Sequence, residues 1–387
     1  MTVNHKIFRK NLGPTSLQLN KKLDSLQALR GVAALLVLFF HYRFYLRDND
    51  EIHTSVWDII LGKGIIGVDI FFVISGFIMV YTTHYYPHGF QSSKKFLINR
   101  VIRIIPLYYF GLLVAFLFGG AMSTFHYPEK VQNFMSALTF TVYDPNITPH
   151  YIDDSGMYVI RWTLNYEVYF YLVFSLCLLI KYRLAPLLAW GCGAVCLLPA
   201  LAGYQPALSV QGYKFHVALY GFLSNPIILE FIIGAVVGYL HIWIKKRIRS
   251  PLLPKFSTLV ASIILIYLIY GVSTGNIRAL QIESTIFIGI FTLALTLGEP
   301  VLSKMLPSKV VYLGSISFSL YILHNSIGLV VFDFLNTNGT TLLSRILGVT
   351  LAASASILAA HFSHKYIEVK LTSWIKRKFN LKYSHAE

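Results

Sequence analysis

Ten runs of about 20 largely apolar residues stand along the chain, each long enough for a helix to cross a bilayer. They lie roughly at 28–46, 64–85, 100–120, 160–180, 184–203, 218–244, 256–272, 279–297, 310–334 and 342–363. Glycines and prolines interrupt several of them, which embedded helices tolerate when neighbours satisfy the freed backbone groups. The first 23 residues are polar and basic, and they are not expected to form a cleaved signal. The longest connection, about 121–159, is too short for an independent module, although Val131–Val142 has the character of a short interfacial helix. The pattern predicts an all-α integral membrane bundle of about ten transmembrane helices. A single domain over 26–368 would sit between basic segments at 1–25 and 369–387.

Composition sharpens this reading. The 387 residues are 55% hydrophobic and 13% charged, against about 25% charged in ordinary soluble proteins. A soluble enzyme, a disordered chain and a secreted disulfide scaffold are thereby excluded. The net charge is +16, from 33 Lys and Arg against 17 Asp and Glu. In a soluble protein such an excess suggests nucleic acid, but in a membrane protein the side on which it sits matters first. An even number of spans puts both termini on one side. If that side is the cytoplasm, about 25 of the 33 basic residues fall there or at adjoining helix ends. Among them are Lys21, Lys22, Lys94, Lys95, Lys181, Arg183, the run Lys245–Arg249 and Lys376–Lys378. The opposite loops hold most of the acids: Asp48, Asp50, Glu51, Glu129, Asp144, Asp153 and Asp154. Orientation thus accounts for most of the excess, and no nucleic-acid partner is needed. Cys177, Cys192 and Cys196 lie in apolar runs without a CxxC pair or a nearby histidine cluster, so neither a zinc site nor a disulfide framework is indicated.

Ionisable residues inside spans are costly, and each is a candidate for function. In the first run Arg30 and His41 are eleven residues apart, about three turns, so they share a helix face roughly 16 Å apart. The third run opens with Arg100 and Arg103, an i, i+3 pair of the kind that grips phosphates or carboxylates. The fourth contains Trp162, Asn165 and Glu167, and a carboxylate at that depth needs a wet cavity or a cation. The ninth places Ser317, Tyr321 and His324 on one face. Asp69, Glu230 and Glu283 complete the set. For each residue singly, anchoring or a structural hydrogen bond competes with chemistry. Together they describe a polar passage with a cationic mouth and a titratable group at mid-depth. Such a passage suits an enzyme drawing an anionic activated donor from the cytoplasm. It equally suits a transporter of an anionic or proton-coupled substrate.

At these residues the chain resembles the acyltransferase 3 family of integral membrane acyltransferases. The matching segments are Leu26–His41, Gly67–Ile78, Arg100–Tyr109, Trp162–Tyr171 and Ser315–His324, in family order. The WTLNYE form at 162–167 is most similar to the branch that acetylates bacterial exopolysaccharides. The resemblance implies a ten-helix core transferring an acyl group, usually acetyl from acetyl-CoA, to a sugar hydroxyl. Its Arg-x10-His pattern falls on Arg30 and His41, its Arg-x-x-Arg on Arg100 and Arg103, and its acidic residue on Glu167. Two departures stand out. The extracytoplasmic hydrolase-like domain that some members append has no counterpart here, so the acyl group would be delivered directly or to a separate protein. Glu368-Val369-Lys370 also lacks the proline that many members place after this glutamate, which blurs the end of the last helix.

On this reading His41 and Glu167 are the catalytic candidates, and Arg30, Arg100 and Arg103 bind the donor phosphates. Asp69, Trp162, Asn165, Tyr321 and His324 are expected to line the substrate path, and no metal is required. The expected partners are acyl-CoA, a polysaccharide or lipid-linked sugar, the bilayer and polysaccharide-assembly proteins. The expected location is the bacterial cytoplasmic (inner) membrane, with many passes. The alternative is a polytopic transporter or exporter of a sugar, a polysaccharide unit or a small anion.

Overall fold

A computed structural model describes residues 22–47, 55–144, 146–152, 157–335 and 341–379. Lys21 and the acids Asp48, Asp50, Glu51, Asp153 and Asp154, which carry part of the charge-asymmetry expectation, lie outside the described residues. Every apolar run contains a helix: α1 (Asp24–Tyr42), α2 (Ile66–Thr83), α3 (Phe90–Phe118), α4 (Arg161–Cys177), α5 (Leu184–Leu201), α6 (Ile228–Arg247), α7 (Leu253–Thr274), α8 (Ile282–Leu297), α9 (Ser317–Leu335) and α10 (Leu342–Ser363). No strand occurs among the described residues. Eight of the ten are individually long and apolar enough to cross a membrane. A ninth span results if α8 is joined to Glu299–Met305, from which it is bent by 82°. The remaining helix, α4, has 17 residues and carries Arg161 and Glu167. The expected interfacial segment is a helix at Pro128–Leu138. Buried Arg161 bonds to it, reaching the Asn133 carbonyl (3.2 Å) and Ser136 Oγ (2.8 Å).

Two expected helix starts move, and both moves bear on function. The apolar pattern opens the third run at Arg100, but α3 begins at Phe90, so both arginines lie well inside it. Pro106 is likewise interior. The ninth run is not continuous: a short helix Ser308–Ser315 ends and α9 starts afresh at Ser317. A restarted helix exposes unpaired amide N–H groups, which must find acceptors when buried. Glu368 supplies one, accepting from the backbone N–H of Ser319 (3.1 Å) and from its hydroxyl. That carboxylate comes from His364–Leu371, a π-helical continuation of α10. The chain remains helical through Lys378, without the stop a proline would impose.

Packing depends on small residues, as lipid offers no hydrophobic drive between helices. Helices α2 and α6 meet through Gly76 and Gly234, and a Cβ at Gly234 would collide with the carbonyl of Val73. Gly31 of α1 faces Gly314 of the short helix in the same way. Burying a methyl against backbone leaves no side chain to yield, so Gly234→Ala should cost about 1–3 kcal/mol. Thermal unfolding in detergent checks this against Gly193→Ala, where a Cβ meets nothing within 4 Å. Equal melting temperatures for the two variants would contradict the close α2–α6 packing.

Candidate active site

Arg30 projects from α1, and Arg100 and Arg103 from α3, into one cavity of about 420 Å³. Lys22 and Lys376 also line it, so five cations face one carboxylate, that of Glu368. Among the described residues neither Arg30 nor Arg100 is in an ion pair. The Arg100 guanidinium lies 5.4 Å from the ring centres of both Phe96 and Tyr171. A partly buried cluster of five cations lined by one carboxylate suits a bound polyanion. A narrower chamber of about 80 Å³ shares the three arginines and extends past Ser75 and Glu167 to Phe71, Thr163 and Tyr321. Glu167 accepts from Ser75 Oγ at 3.3 Å and from the Tyr171 hydroxyl. Tyr321 closes the far side, bonded to Thr163 Oγ1 at 2.8 Å and packed edge-on against Phe71.

His41 lines neither chamber. It lies beyond Tyr321, whose ring centre is 6.0 Å from that of His324, with His324 in turn 4.9 Å from His41. The two histidines are hydrogen-bonded: His324 Nε2 is 3.2 Å from His41 Nδ1. Their proton positions follow from what surrounds them. Nδ1 of His324 lies 2.8 Å from the Tyr321 carbonyl and 3.2 Å from that of Leu320, so it carries the hydrogen. In the neutral ring its Nε2 is then an acceptor. His41 Nδ1 faces this nitrogen and, at 2.9 Å, the carbonyl of Val37, both acceptors. It must therefore donate, which leaves the lone pair of a neutral His41 on Nε2. The backbone behind this pair is also held, since the Tyr42 hydroxyl donates to the His324 carbonyl (2.6 Å) and meets Ser356 Oγ (2.7 Å) of α10.

Not all the expected lining residues reach this path. Asp69, Trp162, Asn165 and His324 line neither chamber, His324 lying behind Tyr321 with His41. Fully buried Asp69 caps the start of α8, accepting from Leu280 N (2.9 Å) and Ser284 Oγ (3.0 Å). Trp162 packs against Phe72, and Asn165 reaches towards the Thr141 carbonyl. Arg30, Arg100, Arg103, Glu167 and Tyr321 do converge. Sequence reasoning missed Glu368 and His364, whose Nδ1 is 3.4 Å from that carboxylate. A glutamate just past an apolar run gives no helical-face signal, because its partner lies 49 residues away.

Residues 23–361 match the model of the acyltransferase domain of the acyltransferase 3 family. The chain belongs to that family. It is a multi-pass membrane acyltransferase, and the cationic cavity, the chamber and the histidine pair lie within its matched domain, except for Lys22 just before it and His364, Glu368 and Lys376 after it. The chain is 30% identical to the exopolysaccharide production protein ExoZ of Rhizobium meliloti over 273 residues, 67% of this chain and 75% of that protein. It is 24% identical to the peptidoglycan O-acetyltransferase OatA of Listeria monocytogenes over 381 residues, covering 91% of this chain and 56% of that protein. No solved structure matches the chain.

The histidine tautomers can be checked without any substrate. In nitrogen-15 spectra of the histidine-labelled full chain, His41 should appear as the neutral Nδ1–H form. His324→Leu, which removes one of its two acceptors, should let His41 exchange between tautomers. A fixed Nε2–H form at His41 would contradict the arrangement.

Proposed function

We propose that the protein is an O-acetyltransferase that takes acetyl from acetyl-CoA on the cytoplasmic side and passes it to a sugar hydroxyl of an exported or cell-surface polysaccharide. The observation that carries this reading is the convergence of Arg30, Arg100 and Arg103 at one end of a chamber whose other end abuts the histidine pair. Family membership supports acyl transfer, and the names of the two relatives support a polysaccharide or peptidoglycan sugar as acceptor. The basic ends of α6 and of the last helical segment lie at Lys245–Arg247 and Lys376–Lys378. They support cytoplasmic termini in a bacterial inner membrane.

In this reading Arg30, Arg100 and Arg103 hold the phosphates of the donor, with Lys22 and Lys376 beside them. Guanidinium groups suit this because each can offer paired N–H donors to phosphate oxygens. The pantetheine arm runs along the chamber past Glu167. Tyr321 must swing away from Thr163 for the thioester to reach His41. His41 Nε2 then takes the proton of the acceptor hydroxyl while its oxygen attacks the thioester carbonyl. The carbon–sulfur bond breaks, and the departing thiolate receives that proton from the imidazolium. In a second route the same lone pair attacks the thioester carbonyl, the carbon–sulfur bond breaks and the thiol departs, and the sugar hydroxyl then takes the acyl group from the imidazole while giving up its proton. In both routes His324 is a positioning residue that keeps the His41 hydrogen on Nδ1. Glu167 orients the donor arm or the incoming sugar.

Purified variants separate these roles. His41→Ala should abolish acetyl transfer while leaving the melting temperature near that of the parent. Arg103→Ala should raise KM for acetyl-CoA about tenfold or more, the loss of one charge-assisted contact, with a smaller change in kcat. Transfer by the His41 variant at the parental rate, or an unchanged KM in the Arg103 variant, would refute the corresponding assignment.

A further inference from the structure

A second cavity, of about 400 Å³, lies outside the path just described. Its wall is made by the end of α2 and the turn that follows it, the turn between α4 and α5, and Tyr239 of α6. Tyr86 lines both this cavity and the arginine-lined one, so the two open at the same end of the bundle. Lys181, Arg183, His84 and His88 contribute its polar surface, and Val80, Leu184 and Tyr239 its apolar floor. No acidic residue is among those lining it.

The polar groups offer hydrogen atoms and few lone pairs. Lys246 Nζ lies 2.8 Å from His84 Nε2, and an ammonium can only donate, so His84 accepts there and is neutral. Burial first, then the charges of Lys246 and Arg183, hold the His84 pKa down to about 4. It therefore remains neutral at ordinary pH, with its Nδ1–H available as a further donor. Arg183 bonds to the carbonyls of Thr83 (2.7 Å) and Tyr86, and Gly89 N–H bonds to the Leu178 carbonyl (2.9 Å), which fix the two turns against each other. The result is a preformed recess with a cationic rim and an apolar floor at the ends of membrane-spanning helices.

We propose that this recess is an anion site for a phosphate group, separate from the donor site, with Lys181 of its lining as the principal ligand and Lys246, behind His84, as the adjoining charge. At this depth the phosphate is supplied by the headgroup of an anionic phospholipid, whose acyl chains would continue along the apolar floor. Occupancy would brace the Tyr86 wall shared with the donor cavity. The recess has this form whether or not acetyl transfer is the reaction catalysed elsewhere in the bundle.

The test uses the full chain in nanodiscs of phosphatidylcholine alone or with phosphatidylglycerol. Melting temperature and lipid retained in native mass spectrometry are the two readouts. The anionic lipid should raise the melting temperature and leave bound phosphatidylglycerol. The paired substitution Lys181→Gln, Lys246→Gln should lose most of both effects, whereas Lys255→Gln, at the exposed start of α7, should keep them. Inorganic phosphate added to phosphatidylcholine nanodiscs distinguishes the sources. If it alone reproduces the shift in the parent and not in the paired variant, the site takes free phosphate and the lipid assignment falls. No shift from either source, or an equal shift in the parent and the paired variant, would overturn the site.

Discussion

A helix that begins in a buried place has several amide N–H groups and no water to receive them, and three of this chain's few carboxylates answer that need. Glu299 accepts from the backbone of Asp24 (2.7 Å) and Ser25 (3.0 Å) at the start of α1. Glu368 does the same for α9 at Ser319, and Asp69 for α8 at Leu280. Each pairing joins residues far apart in the chain, and each sets a carboxyl group at the positive end of a helix dipole. Two of the three capped helices, α1 and α9, carry the histidine pair. The two carboxylate caps thus help to fix the depth of His41 relative to His324.

The same logic explains the unbalanced charge around Arg30. Glu368 is engaged at the start of α9 and Glu167 with Ser75 and Tyr171, and among the described residues neither forms an ion pair with Arg30 or Arg100. Through-space attraction from Glu368 and Glu167 reaches Arg30, yet repulsion from Arg103 opposes it. A cluster held in this state gains most when a polyanion enters. Beyond it, the protein isolates His41 behind Tyr321, so the cationic cavity and the imidazole do not form one open hole. A continuous wet pore would leak ions, and a closed aromatic contact at Phe71 and Tyr321 avoids that.

Much of this is legible in the chain without any fold. Run length alone locates the ten helices, because bilayer thickness sets it. The three-turn spacing of Arg30 and His41 correctly puts both on α1. Periodicity does not show that α3 begins ten residues before Arg100, since Phe90–Asn99 is too polar to read as span. Nor does it show the break at Ile316, which is stabilised by a glutamate 49 residues beyond Ser319. Asp69 stands out in the sequence as ionisable within a span. Its actual role as a cap on α8 depends on a contact 211 residues distant. The features hidden from the sequence are thus long-range polar pairings, while those it reveals are local periodicities.

The proposed acyl transfer requires that one molecule of donor connect the arginine cluster to His41. The most direct measurement is a cryo-EM structure of the full chain with a non-hydrolysable acetyl-CoA analogue. Phosphate density should appear among Arg30, Arg100 and Arg103, with Tyr321 turned away from Thr163 and the acyl carbonyl beside Nε2 of His41. Phosphates bound elsewhere, or an acyl group ending short of an unmoved Tyr321, would contradict it.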